Sequence, residues 1–197
     1  MEDAVTAATL GTDAIGLVFY PKSPRYVEIE QAAEICARIP AFVTTVALFM
    51  DANEQQVSDV LQRVPIDLLQ FHGTETPDYC NRFNRPYIKA LGMAGEARAD
   101  IISKAGRFTE SRGILLDSHA PGAAGGTGEA YDWNSMPEGF DKPVILAGGL
   151  GVDNVAEAIT KVHPWAVDVS SGVEADKGIK SADLMSEFIN EVNNANR

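Results

Sequence analysis

The chain has 197 residues, 45% of them hydrophobic and 22% charged, with a formal net charge of −12. That acidity argues against a nucleic-acid partner, because phosphate backbones are bound through clustered Lys and Arg; backbone N–H groups and helix N-termini can still hold a small anion. No apolar run approaches the roughly 20 residues needed to cross a bilayer, and "MEDAV" has neither the basic nor the apolar region of a signal peptide.

The first eleven residues read as a short helix closed by Gly11. "AIGLVF" (14–19) is a buried strand. "EIEQAAEICARI" (28–39) puts Ile29, Ala32, Ala33, Cys36 and Ile39 on one helical face. "TTVALFM" (44–50) is a strand, and "NEQQVSDVLQRV" (53–64) a helix with Asn53 as N-cap. "DLLQFH" (67–72) is a strand, followed by a short helix "TPDYCNRF" (76–83) with Thr76 as cap and Pro77 at its first position. "YIKALG" (87–92) is a strand and "EARADIISKA" (96–105) a helix. "GILLDS" (113–118) is a strand, and the glycine-rich "HAPGAAGGTGEA" leads to a weak helix near "WNSM". "PVILAGG" (143–149) is a strand, and "DNVAEAITKV" (153–162) a helix capped by Asp153 or its neighbour. "AVDVSS" (166–171) is the last strand and "SADLMSEFINEVNN" (181–194) the last helix.

Strands that are apolar on both faces, each followed by a helix, predict a parallel sheet covered by helices. Seven strands and eight helices fit a (β/α)₈ barrel better than an open doubly wound sheet, with one domain over 1–197. The unmatched element is the first helix, so the expectation is a first strand lying ahead of Met1. The two cysteines fall in helical patterns and are expected to be reduced thiols of a cytoplasmic protein.

In such barrels the chemistry sits at the C-terminal ends of the strands. Three late loops there combine glycine with Ser or Thr: "GGTG" (125–128), "AGGL" (147–150) and "SSGVE" (170–174). Exposed N–H groups and hydroxyls in adjacent loops suit a phosphate, which makes Gly126, Thr127, Gly128, Gly148, Gly149, Ser170, Ser171 and Gly172 the candidate cradle. Asp117 ends a fully apolar strand, where a carboxylate needs a partner or a task, and general acid is the preferred role over a loop anchor. Gln70 and His72 point the same way off one strand, and His72 reads as a hydrogen-bonding residue rather than a base. Arg25 can grip a carboxylate bidentately, and Asp168 alternates with Val167 and Val169 so as to face the barrel interior. His72, His119 and His163 are scattered and no Cys or His pair is spaced for a metal; no P-loop or dinucleotide fingerprint occurs.

"GLVFYPKSPRYV", "LLQFHGTETPDYC", "IKAL", "LLDSHAPGAAGGTGEAYDW", "PVILAGGLGVDNVAEAI" and "AVDVSSGVEADKGIKSADLMSEFI" together resemble the phosphoribosylanthranilate isomerases of tryptophan biosynthesis. The resemblance runs from the first helix to the C-terminus. It implies an Amadori rearrangement of N-(5-phosphoribosyl)anthranilate to 1-(2-carboxyphenylamino)-1-deoxyribulose 5-phosphate, with no metal or organic cofactor, in a monomer or homodimer that binds neither nucleic acid nor membrane. It implies that Asp117 protonates the ring oxygen, that Arg25 faces the anthranilate carboxylate, and that the three loops hold the phosphate. The family's base is a cysteine in a Lys-Ile-Cys-Gly stretch on its first strand, which has no counterpart in this sequence. That absence keeps open a second reading, a catalytically dead barrel binding a phosphorylated ligand or a partner enzyme. A sugar isomerase of histidine synthesis fits less well, for want of internal half-barrel repetition.

Overall fold

A computed structural model describes residues 2–118, 133 and 136–195. Seven parallel strands form one sheet in chain order: β1 (Ala14–Val18), β2 (Thr44–Phe49), β3 (Leu68–Phe71), β4 (Tyr87–Gly92), β5 (Gly113–Asp117), β6 (Val144–Ala147) and β7 (Ala166–Val167). The helices are α1 (Glu2–Leu10), α2 (Ile29–Cys36), α3 (Glu54–Arg63), α4 (Pro77–Asn81), α5 (Arg98–Gly106), α6 (Val155–Val162) and α7 (Ala182–Ala195). The strand–helix alternation is that of an α/β barrel wall, each strand hydrogen-bonded to the next in sequence.

Local chemistry explains where the helices begin and end. Asn53 accepts from the Gln56 N–H while the Gln56 side chain accepts from the Asn53 N–H, a reciprocal cap on α3. Thr76 caps α4, with Pro77 in its first turn. Gly11 closes α1 at φ 103°, a left-handed conformation that costs glycine little. The helix 153–162 differs from expectation at its start. The boundary residue is Asn154, and its side chain does not cap α6; it bonds back to the preceding loop, accepting from Gly151 N and donating to Gly149 O.

The apolar layer lies mainly between the sheet and the helices. Phe49, Phe71, Leu69, Ile114, Leu116 and Leu146 face outward from their strands into it, against helix residues such as Val57 and Ile101. A smaller cluster of Ile88, Ala90, Leu115 and Ala147 fills the inner face. The alternate strand residues of that inner face lead, at the C-terminal ends, to Gln70, His72 and Asp117. Register keeps these ends level: Gly92 pairs with Asp117, and Asp117 with Ala147.

The last strand is shorter than the run 166–171 suggests. Only Ala166–Val167 pairs with β6; a 3₁₀ turn covers Ser171–Val173, and a small antiparallel hairpin follows, β8 (Glu174–Asp176) with β9 (Ile179–Lys180). Among the described residues no strand lies between β1 and β7. The inward positions Ala14, Gly16, Ala166 and Asp168 beside that seam are accordingly exposed. On the outside, α1 packs on α7, and Asp3 accepts a hydrogen bond from Lys180 N at 3.0 Å. The weak helix near "WNSM" leaves only Trp133 and Met136 among the described residues.

Candidate active site

The C-terminal strand ends open into one cleft. β3 supplies Gln70, and His72 follows it; β5 supplies Asp117; the loop after β6 supplies Gly148 and Gly149; the segment after β7 supplies Asp168, Ser170 and Ser171; the loop after β1 supplies Arg25. All these sequence-selected residues therefore border the same space. Gly172 does not. A Cβ there would overlap the Leu150 carbonyl, so this glycine is a packing requirement of the 3₁₀ turn, and it lines a neighbouring hollow with Gly149 and Ser171. Gly126, Thr127 and Gly128 lie outside the described residues.

At the floor of the cleft a short relay forms. Gln70 Nε2 donates to His72 Nδ1 at 3.1 Å, which leaves the imidazole proton on Nε2, and Nε2 donates to Asp117 Oδ2 at 3.1 Å. Asp117 is buried at 5% exposure, and its carbonyl accepts from Met93 N at 2.9 Å, so backbone and carboxylate are both held. Gly148, at φ 82°, lies directly against it. A Cβ on Gly148 would overlap Ser118 and stand 2.7 Å from Asp117 Oδ1. This glycine is thus a wall for the carboxylate as well as part of a loop suited to anions.

A second carboxylate shares the floor. Asp168 is accessible to the solvent of the open cleft, yet protein encloses it deeply enough that lost hydration raises its pKa. Attraction to His72 works against that rise, repulsion from Asp117 adds to it, and Lys180 again opposes it. Asp117 is therefore not the lone acid of the cleft.

At the rim, Arg25 is already engaged. Its Nε donates to Glu174 Oε1 at 2.6 Å and its terminal nitrogen to Oε2 at 2.8 Å, a bidentate fork. Lys180 Nζ also reaches Glu174 Oε1 at 2.9 Å and the Ser170 carbonyl at 2.7 Å. Burial pushes the Glu174 carboxyl upward, but the hydrogen bonds from Arg25 and Lys180 outweigh it and pull the pKa down to about 2. The hairpin β8–β9 thus ties the loop after β1 to the segment after β7. Glu174 and Lys180 were not selected from the sequence. Their signal was there, an acid just beyond "SSG" and a lysine six residues later, but the pairing with Arg25 spans 149 residues.

The order of these features along the chain agrees with one family. Its model, described as N-(5'phosphoribosyl)anthranilate (PRA) isomerase, matches residues 1–191. The chain belongs to this family. A PRA isomerase of Azotobacter vinelandii is 55% identical over 196 residues, covering 99% of this chain and 94% of that protein. The crystal structure of a PRA isomerase from Thermotoga maritima superposes with a TM-score of 0.85 at 35% identity, covering 98% of this chain and 94% of that one. A second PRA isomerase structure, with a TM-score of 0.81 and 34% identity over 98% of this chain and 93% of its own, is a complex with reduced 1-(o-carboxyphenylamino)-1-deoxyribulose 5-phosphate.

Neither cysteine borders the cleft. Cys36 and Cys80 lie in the outer apolar layer. Burial raises both thiols, Cys80 to about 12, so neither supplies a thiolate near neutral pH. No described helix is long and apolar enough to cross a membrane.

Proposed function

We propose that this chain isomerises N-(5-phosphoribosyl)anthranilate to 1-(2-carboxyphenylamino)-1-deoxyribulose 5-phosphate, a step of tryptophan biosynthesis. The observation that carries the reading is the Gln70–His72–Asp117 relay on the floor of a cleft whose rim holds Arg25 and the loops at Gly149 and Ser171, in a chain of this family. Asp117 gives its proton to the furanose ring oxygen. The anilino nitrogen lone pair then forms the C1′=N bond as the ring C–O bond breaks. The C2′ proton then passes to a base, the part played in the family by a cysteine that has no counterpart in this sequence. The C2′–H electrons become the C1′=C2′ bond of an enolamine as the C1′=N electrons return to nitrogen, and reprotonation at C1′ gives the C2′ ketone, so no atom is gained or lost overall. Arg25, sharing its fork with Glu174, faces the anthranilate carboxylate. Backbone N–H groups around Gly148, Gly149, Ser170 and Ser171, with the loop 126–128, hold the phosphate. The reading carries with it a cytoplasmic location, no nucleic-acid partner and a monomer or homodimer.

A second reading has one observation in its favour. With Cys36 and Cys80 both sealed in the outer layer, no thiolate reaches the cleft among the described residues, as in a barrel that binds the phosphorylated ligand without turning it over. Parent and Asp117→Asn proteins separate the two. Substrate consumption is followed by the anthranilate fluorescence, and binding of the reduced product analogue by calorimetry. The isomerase reading expects turnover in the parent and a fall of about 10²–10⁴-fold in the variant, with binding kept. Binding without turnover in the parent establishes the second reading. Near-parental turnover in Asp117→Asn removes that residue from the acid role.

A further inference from the structure

Lys89 is the one lysine among the described residues that is buried, with a side chain only 2% exposed. It stands in the middle of β4 and points away from the cleft, into the apolar layer beneath the helices, over the Phe108 ring at 5.8 Å. Its ammonium has three N–H donors, and three acceptors meet them: Phe71 O at 2.9 Å, Gly73 O at 2.7 Å and Glu75 Oε2 at 3.1 Å. The two carbonyls are those on either side of His72. The imidazole is therefore presented to Asp117 from one side of the sheet while its backbone is gripped from the other.

The grip extends further. Glu75 Oε1 accepts from Asp51 N at 2.8 Å, and Asp51 Oδ1 accepts from Thr74 N at 2.6 Å and Thr74 Oγ1 at 2.8 Å. Asp51 sits at φ 52°, close enough to Gly73 that a Cβ there would come within 2.7 Å of the Asp51 nitrogen. His72 N itself donates to Phe49 O at 2.8 Å. The loops after β2 and β3 are thereby fastened to β4 through one ammonium and one carboxylate. A buried ion pair costs dehydration on both sides, and apolar replacement of such a pair is often neutral or stabilising. Stability alone is a poor account of this one. Its geometry does something an apolar pair cannot: it fixes the carbonyls of the residues before and after a functional side chain, where displacements near an ångström matter.

We propose that Lys89, with Glu75, is a positioning residue that fixes the His72 backbone from behind the sheet and so sets the imidazole's hydrogen bond to Asp117. The proposal rests on the reading of Asp117 as the acid, and its test is separable from that reading. The full chain is compared with Lys89→Met and Lys89→Met/Glu75→Gln. The double variant removes both charges, and the new amide oxygen at position 75 still accepts from Asp51 N. The readout is the nitrogen NMR spectrum of the imidazoles, of which the sequence has three. The parent shows His72 as a single tautomer with its proton on Nε2. Folded variants show His72 nitrogens averaged between tautomers and, where turnover is measured, kcat lowered roughly 10- to 100-fold with KM within about twofold. Parental His72 shifts in a folded variant overturn the proposal. So does loss of folding in both variants, because the pair is then a requirement of the fold itself. Retained turnover in Asp117→Asn sinks the acid reading and leaves the spectroscopic result standing.

Discussion

Gly148→Ala tests whether the cleft's acid is placed by contact. Two costs enter. The first is backbone: φ is 82°, and an L-residue in the left-handed region costs roughly 1–2 kcal/mol. For a chain of this size that is worth about 2–4 °C in Tm per kcal/mol. The second is steric. The new methyl would overlap Ser118 and stand 2.7 Å from Asp117 Oδ1, so the carboxylate must withdraw by about 0.7 Å to reach ordinary contact. A misplacement of about 1 Å can cost roughly 10²-fold in rate, so the expected loss in kcat is roughly 10- to 100-fold. Gly139→Ala is the control. Its φ is 87° and nothing lies within 4 Å of a Cβ there, so it bears the backbone cost without the collision. The assay pairs thermal unfolding with turnover of phosphoribosylanthranilate for the parent and both variants. A larger Tm loss in Gly148→Ala than in Gly139→Ala, with a rate loss only in Gly148→Ala, fits the reasoning. Equal rates in the two variants would show that Asp117 is not held by this wall.

Three further outcomes are expected. Glu174 has an ordinary carboxyl pKa of 4.5 in the unfolded chain and about 2 in the folded one, so its contribution is whole above pH 4.5 and fades as pH falls toward 2; the stability difference between parent and Glu174→Gln in urea unfolding should shrink across that window, and a constant difference would contradict the pairing with Arg25 and Lys180. Asn53→Ala removes the reciprocal cap of α3 and should cost ~0.5–2 kcal/mol in unfolding free energy, whereas an unchanged Tm would mean the cap contributes nothing. Gly149→Val should raise KM roughly tenfold or more, since a hydrogen bond to a charged group is worth ~1.5–3 kcal/mol; an unchanged KM would take this loop out of the anion site.

How much of this was legible beforehand varies by element for physical reasons. β2 to β5 are long apolar runs buried on both faces, and their side chains announce that directly. The caps at Asn53 and Thr76 are local, decided within four residues, and local rules found them. Asp117 was conspicuous because a carboxylate closing "GILLD" has to be held by something. The failures share a cause. β8 and β9 are three and two residues long and polar, so no period marks them. β7 pairs with β6 only through Val167, opposite Leu146, although the apolar alternation continues to Val169. The cap of α6 was read as Asp153 or its neighbour; the neighbour Asn154 holds that position, but its side chain serves the loop behind it. Lys89 in "YIKALG" was not selected from the sequence, because its meaning depends on carbonyls 16 and 18 residues away.

The contact between α1 and α7 has a consequence for how the molecule assembles. Every strand pairing in the sheet joins neighbours in sequence; β1 meets β2 across 30 residues, Ala14 against Thr44. The bond from Lys180 N to Asp3 closes a loop of 177 residues. For a flexible chain the entropy of closure grows as the logarithm of loop length, which makes this last closure roughly 1.5 kcal/mol more demanding than any single strand pairing of about 30 residues. The sheet can therefore lengthen one neighbour at a time, while the two chain ends meet only by a long search. The α1–α7 contact joins the two ends of the chain and is therefore the last that a neighbour-by-neighbour assembly makes.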